Sequence, residues 1–340
     1  MKNHNSRAAA ADTRQPELFV SDDTSALEPR RPAIRRGGTL ADQVNDLKAR
    51  VNTEVALRPA APPAVVYQLD LWRGVRDWGD ELRGVPNAMV RCAMFTAKNR
   101  NVPRAMLINK PIFTTRGAAI FYSGEELRID DEDVWMQIVH LVRHGENGRQ
   151  AYFTTYELIE MLGLSHGTKN YQRVEKSITR LKDGRVKIRE SSGRKLELCD
   201  LVENALRLSD NRGREVWFVT LGESMIHLFA NDQYSLIPWE MRRMLKSGVA
   251  ARLMQYYCSQ RDPYPLSIEF IQTLADLGPD VPLISLRRTI RTALAELVRC
   301  GFLEWGELRR ERGLGNTVVE KVYVKRTHAV RVAVEALPVL

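Results

Sequence analysis

Apolar residues recur with helical spacing at three places between residues 94 and 208. The first helix is predicted to begin at the acidic run Asp130–Asp133, because the helix macrodipole favours carboxylates at an N-terminus. Its apolar face consists of Val134, Trp135, Ile138, Leu141 and Val142. A short helix is predicted after Thr155, ending at Gly163, and a third over about Lys169–Lys182.

Strand patterns flank these helices. Ala118–Tyr122 is predicted to be a strand that precedes the first helix. Val186–Arg189 and Lys195–Leu198 alternate apolar and charged residues around the turn Ser191–Gly193, which predicts a β-hairpin after the third helix. Helix, short helix, turn, helix and hairpin is the order of a winged helix-turn-helix domain, with this hairpin as its wing.

The same order recurs in the second half of the chain. A strand is predicted over Val216–Val219, and helices are predicted over about 241–259, 267–277 and 283–300. A hairpin of Phe302–Trp305 and Val318–Val324 follows, joined by the loop Arg309–Gly313. We therefore predict an α+β protein with tandem winged helix-turn-helix domains. The expected segments are a largely disordered N-terminal arm over 1–65, a linker over 66–93, domains over 94–214 and 215–326, and a C-terminal tail over 327–340.

The linker contains an apolar peptide, VYQLDLW, at Val66–Trp72. It follows a proline-rich stretch, so two leucines and a tryptophan stand where no compact domain has yet begun. Either the segment docks on the protein's own first domain, or it binds a pocket of another protein.

The net charge of the chain favours a polyanionic partner. The 340 residues contain 51 Lys and Arg against 42 Asp and Glu, a formal net charge of +9. A basic excess of this size favours nucleic acid ahead of an anionic membrane. No apolar run is long enough to span a membrane and no secretory signal is recognisable, so we expect a soluble, cytoplasmic protein.

Basic residues concentrate on the two third helices and on the predicted first wing. Opposite an apolar stripe, like charges spaced i,i+3 and i,i+4 repel one another, and a bound polyanion would relieve that repulsion. The predicted DNA-binding residues are Lys169, Arg173, Lys176 and Arg180 on the first of these helices, Lys187, Arg189, Arg194 and Lys195 on the wing, and Arg287, Arg288, Arg291 and Arg299 on the second of these helices.

Catalytic and metal-binding patterns are not recognisable in the sequence. The four cysteines are scattered and form no CxxC pair, and no P-loop is present, so neither metal nor cofactor is expected. His140 and His144 are spaced like metal ligands, but they fall on the polar face of their helix and are interpreted as solvated. Tyr256 and Tyr257 are the residues that a DNA strand-transferase would use as nucleophiles, although the companion residues of such enzymes are not recognisable.

Several stretches resemble the TrfA-type plasmid replication initiators. They are VPNAMVRCAMFTAKNRNVPR at 85–104, YSGEELRIDDEDVWMQ at 122–137, FTTYEL at 153–158, LFANDQY at 228–234 and SQRDPYPL at 259–266. The resemblance extends from about residue 67 to 308. It implies a non-enzymatic protein with tandem winged helices that binds repeated sites (iterons) at a plasmid origin as a monomer, while a homodimer is an inactive form that limits copy number.

The resemblance also implies partners. It implies opening of AT-rich origin DNA, contact with single-stranded DNA, and recruitment of the host initiator and replicative helicase. Gln68, Leu69, Asp70, Leu71 and Trp72 resemble the peptide by which these initiators bind the host sliding clamp, with Trp72 in place of the usual Phe. Gln15–Phe19 is a second, looser candidate. The alternatives are a winged-helix transcriptional repressor and a strand-transferase.

Overall fold

A computed structural model describes residues 71–115, 119–145, 147–189, 196–209, 213–230, 233–312 and 318–330, all within one compact unit. Its helices are α1 (Asn87–Val90), α2 (Ile129–Arg143), α3 (Thr155–Leu162), α4 (Thr168–Asp183), α5 (Glu223–His227), α6 (Trp239–Arg243), α7 (Gly248–Cys258), α8 (Ile268–Leu274) and α9 (Leu283–Arg299). Its strands are β1 (Leu82–Pro86), β2 (Met106–Ile112), β3 (Ala119–Glu125), β4 (Gln150–Phe153), β5 (Arg185–Arg189), β6 (Leu196–Asp200), β7 (Asn204–Ser209), β8 (Glu215–Thr220), β9 (Tyr234–Pro238), β10 (Leu266–Ser267), β11 (Leu303–Arg312) and β12 (Val318–Arg326).

Local sequence explains where the helices begin and end. The Thr154 hydroxyl accepts a hydrogen bond from the Glu157 N–H (3.1 Å), and the Glu157 carboxylate accepts one from the Thr154 N–H (2.7 Å). This capping box starts α3, and Gly163 ends it with a left-handed backbone (φ 65°). The helix predicted over 241–259 is instead two helices, because Ser247 caps a new helix by accepting the Ala250 N–H.

Two modules share one topology. The first is α2-β4-α3-α4 followed by β7 and β8, and the second is α7-β10-α8-α9 followed by β11 and β12. In each, the strand after the first helix pairs antiparallel with the last strand, giving the sheet orders β4-β8-β7 and β10-β12-β11. A recurrence is therefore present in the strand pairing, but β8, which the sequence placed at the start of the second domain, pairs with β4 and β7 of the first module.

The hairpin that the sequence assigned to the first wing belongs to a different sheet. Strands β5 and β6 pair as predicted, but β5 also pairs with β3, in a four-stranded sheet of order β2-β3-β5-β6. By strand order, the counterpart of the β11–β12 hairpin is β7–β8. Sequence alternation identified a hairpin but could not reveal which sheet it joins.

The segment before the first module is integrated into the folded body. Strand β1 pairs with β9 from Leu82 opposite Pro238 to Pro86 opposite Tyr234, and the Ser235 hydroxyl donates to the Asn87 side-chain oxygen (2.6 Å). Residues 82–90, which the sequence placed in a linker, thus join the two modules at a buried strand pair. Apolar residues of both modules form one continuous core. No helix in the described part of the chain is long and apolar enough to cross a membrane.

Candidate nucleic-acid interface

The third helix of the first module, α4, has the predicted apolar stripe and a polar outer face. Val174, Ile178 and Leu181 are buried against the module core. Lys169 and Lys176 are exposed on the outer side. These two lysines are the basic residues of the predicted face that the fold leaves fully open to a ligand.

The two arginines of the same predicted face turn towards the acidic N-terminus of α2. Arg180 binds the Asp131 carboxylate (2.7 Å), which is fully buried and also accepts from the Ser177 hydroxyl (2.6 Å). Arg173 lies 3.2 Å from Asp130. Because the Arg180 side chain is only 10% exposed, its first role is to neutralise a buried carboxylate.

These contacts shift the pKa values of Asp130 and Arg173. Burial alone would raise the pKa of Asp130, but the guanidinium groups of Arg173, Arg104 and Arg100 outweigh it, and the net pKa is lowered. The pKa of Arg173 is lowered by burial and by the neighbouring charge of Arg100. Asp130 is therefore ionised at neutral pH and neutralises part of the charge that α4 would otherwise present.

The third helix of the second module, α9, presents arginines without such neutralisation. Arg288, Arg291 and Arg299 are exposed, and no carboxylate of the described residues lies within 4.0 Å of their guanidinium groups. Arg287 differs, since its Nε donates to buried Glu320 (2.6 Å). Three of the four predicted arginines on this helix thus form an open cationic face.

The hairpin of the second module carries basic residues that were not among the predicted site residues. Arg309, Arg310 and Arg312 are exposed on β11, and Arg310 is ion-paired with Glu320 (2.8 Å) while its side chain stays 68% exposed. The signal was visible in the sequence as Arg-Arg-Glu-Arg at the tip of the predicted hairpin.

The basic residues of the other hairpins are placed differently. On β5, Arg189 is exposed and Lys187 is half-buried, whereas Arg194 and Lys195 lie outside the described residues. On β7, Arg207 is ion-paired with Glu175 of α4 (2.9 Å) and with Glu215 (3.3 Å). Within the described residues, Arg288, Arg291 and Arg299 of α9 therefore form an open cationic face, whereas Arg309 and Arg310 of the adjoining hairpin are ion-paired with Glu307 and Glu320.

A comparison with known proteins places the chain in a family. Residues 35–307 match the family described as TrfA protein. The plasmid replication initiator protein TrfA of Escherichia coli is 31% identical over 285 residues, which cover 83% of this chain and 72% of that protein. The chain belongs to the TrfA family. It is accordingly a plasmid replication initiator with a DNA-binding role, and the resemblance noted in the sequence is confirmed.

Two solved structures share the fold of this TrfA-family chain. The crystal structure of RctB domains 2–3 has a TM-score of 0.51 at 13% identity, and covers 72% of this chain and 99% of that one. The selenomethionine derivative of the same two domains has a TM-score of 0.52 at 12% identity, covering 71% and 98%. At these identities the likeness concerns the mixed helix–strand fold alone.

The peptide that resembles a clamp-binding motif is partly embedded in this TrfA-family fold. Gln68, Leu69 and Asp70 lie outside the described residues, and Leu71 is half-buried. Trp72 is only 8% exposed, its Nε1–H donates to the Gly148 carbonyl (2.5 Å), and its ring packs against Phe229 (5.1 Å between centroids). The sequence left two hypotheses open for this segment. In this structure Trp72 is docked on the protein's own body.

The other candidate groups are buried in the TrfA-family fold. Tyr256 and Tyr257 are inaccessible, and burial raises the pKa of Tyr257, so neither phenol is placed to attack a phosphate. All four cysteines are buried and none forms a disulfide. Within the described residues, no three His, Cys, Asp or Glu side chains are grouped as metal ligands would be.

His140 is buried too, which corrects its interpretation as a solvated residue. Its side chain packs beneath Trp78, whose Nε1–H donates to the imidazole Nδ1 (3.2 Å). The helical position of His140 gave no sign of this cover, because Trp78 comes from the segment ahead of the first module.

Proposed function

We propose that the chain is a non-enzymatic initiator whose two modules are tandem winged helices that bind directly repeated duplex sites at a plasmid origin. Each module would place its third helix, α4 or α9, in the major groove, which is wide enough to admit an α-helix. The observation that carries the proposal is the open face of Arg288, Arg291 and Arg299 on α9, where arginine can bind phosphate or the O6/N7 edge of guanine.

The modules would contribute unequally to binding. On α9, Arg288, Arg291 and Arg299 are exposed without a close carboxylate, and the adjoining hairpin adds exposed Arg312, whereas its Arg309 and Arg310 are ion-paired with Glu307 and Glu320. On α4, Lys169 and Lys176 are exposed, whereas Arg173 and Arg180 are bound to carboxylates of α2. We therefore assign base recognition mainly to the second module, and to the first module contacts to phosphates by its lysines.

Opening of the origin would draw on binding energy and DNA deformation, because no nucleotide-binding loop is present in the sequence. The proposal includes binding of iterons by the monomer and an inactive homodimer. It also includes contacts with single-stranded origin DNA and recruitment of the host initiator and replicative helicase. Family membership supports these finer assignments.

Footprinting of the purified protein on the DNA flanking its own gene tests the proposal. We expect protection of several evenly spaced direct repeats beside an AT-rich stretch. Arg288→Ala and Arg291→Ala should each weaken binding by about 1–3 kcal/mol, or roughly fivefold to 160-fold, if the side chain contacts a base. Arg149→Ala is the matched control, because Arg149 is bound to the surface residues Glu203 and Glu223.

Two outcomes would contradict this assignment. A single palindromic site over a promoter would make the protein a repressor. Protection that is unchanged in the double variant of Arg288 and Arg291 would remove α9 from the interface.

We further propose that Gln68–Trp72 binds the host sliding clamp after Trp72 leaves its own pocket. The motif and the family support this partner, and undocking would expose the indole to fill an apolar pocket. Gln68→Ala should weaken binding to purified clamp by about tenfold or more while leaving duplex binding intact. Gln15→Ala is the matched control, and a loss confined to that variant would move the clamp contact to Gln15–Phe19.

A further inference from the structure

A charged groove lies where the two modules meet. Its walls are the loop 97–101, the start of α2, and the segment 242–248 that leads into α7, and they enclose a cavity of about 430 Å³. Five basic and two acidic side chains line it. The groove is therefore a positively charged feature that is separate from the outer faces of α4 and α9.

Both acidic groups of the groove are already bound. Asp130 is paired with Arg173 (3.2 Å) and Arg104 (3.3 Å), and Asp133 is paired with Arg242 (2.8 Å). Their negative charge is thus largely neutralised by arginines that do not depend on a ligand. An anion that enters the groove meets little uncompensated repulsion.

The basic groups divide into two classes. Lys98, Arg128 and Arg242 are each held by carboxylates, the first two by Glu126. Arg100 and Lys246 are exposed, and no carboxylate of the described residues lies within 4.0 Å of either side chain. These two cations are available to a ligand.

Hydrogen bonds from or to charged side chains fix the backbone at both Arg100 and Lys246. The Arg128 guanidinium donates to the carbonyls of Asn99 (2.9 Å) and Val102 (2.7 Å), on either side of Arg100. The N–H groups of Lys246 and Ser247 both donate to the Glu296 carboxylate (2.9 Å each). Fixed anchors reduce the entropy lost when a ligand is bound.

The position of Lys246 connects the two third helices. Glu296, which holds its backbone, belongs to α9. The preceding residue, Leu245, lines a smaller adjoining cavity together with Arg173 and Ser177 of α4. Lys246 therefore lies between the α9 residue that holds its backbone and a cavity bordered by α4.

We propose that Arg100 and Lys246 bind the phosphate backbone of duplex DNA where it passes from one module to the other. The inference rests on the proposed function and adds a contact between the two recognition helices. Contacts to phosphates fix the register of a protein on DNA without reading sequence.

The test compares the double variant Arg100→Ala, Lys246→Ala with the wild-type protein on an origin repeat and on a scrambled duplex. We expect affinity at 0.1 M salt to fall by between about tenfold and a hundredfold on both DNAs, because both contacts ignore sequence. The slope of log affinity against log salt should become shallower by about two, close to one for each lost phosphate contact.

The controls separate the possible failures. Arg73→Ala removes an exposed arginine beside Trp72, near the opposite end of α2, and should leave both quantities unchanged. Arg100→Lys, Lys246→Arg retains the charges and should keep the salt slope, which excludes a folding defect. An unchanged affinity and slope in the alanine variant, or a loss on the origin repeat alone, overturns the inference. Failure of the wild-type protein to prefer the repeat would instead overturn the proposed function.

Discussion

His140 shows how the environment of one residue sets its chemistry. The Trp78 Nε1–H can only donate, so Nδ1 of the imidazole accepts, and the neutral ring carries its proton on Nε2, which donates to Asp80 (3.0 Å). Burial and the nearby Arg83 charge lower the pKa of His140 to about 4. The ring is therefore neutral in the folded protein above about pH 4.

This lowered pKa predicts a pH dependence of stability. Above about pH 6.5 His140 is neutral in both states, and as pH falls towards 4 the unfolded chain takes up a proton that the folded chain refuses. The titration of His140 should therefore contribute a drop of about 3 kcal/mol to the free energy of unfolding across that window. Urea unfolding followed by tryptophan fluorescence at several pH values measures it.

The His140→Gln variant removes this proton uptake and should lose less stability across the same window. His144→Gln is the matched control, since that ring is 41% exposed, and it should behave as the wild type. Identical pH profiles for the wild type and His140→Gln would contradict the assignment.

Helix α2 serves as the electrostatic centre of the fold. Successive residues of a helix point about 100° apart, so its first turn directs acids to different neighbours. Asp130 and Asp131 face arginines of the first module, whereas Glu132, fully buried, meets Arg242 (3.2 Å) and Arg252 (3.2 Å). One helix end thus neutralises arginines that the surrounding elements have buried.

Because Glu132 is buried and bound to two arginines, neutralising its carboxylate is predicted to lower the stability of the fold strongly. Glu132→Gln should lower the free energy of unfolding by about 3–5 kcal/mol, because it removes the charge partner of Arg252, whose side chain is 1% exposed. Glu203→Gln, which breaks a surface pair with Arg149, should cost less than about 1 kcal/mol. Denaturant titration measures both, and a cost for Glu132→Gln as small as that of the control would show that its carboxylate is dispensable.

At the scale of the whole molecule, the sequence predicted what depends on local periodicity. The helix faces of α4 and α9 and the β5–β6 and β11–β12 hairpins follow from spacing alone, and Arg288, Arg291 and Arg299 are exposed as that spacing predicted. It did not predict that Arg180 is bound to Asp131, that Trp78 covers His140, or that β5–β6 joins β3. Each of these depends on contacts between residues far apart in the chain, which periodicity does not record.

The pairing of β1 with β9 has a consequence for synthesis on the ribosome. Leu82 lies opposite Pro238, so the strand that begins the folded body has no partner until the second module has started to emerge. At about 5–20 residues per second, that interval is roughly 10–30 s. Phe229 and Tyr234, which pack against Trp78, are made equally late. The nascent first module therefore spends this time with Trp78 uncovered and one strand edge open, which are the features that chaperones and aggregating neighbours recognise.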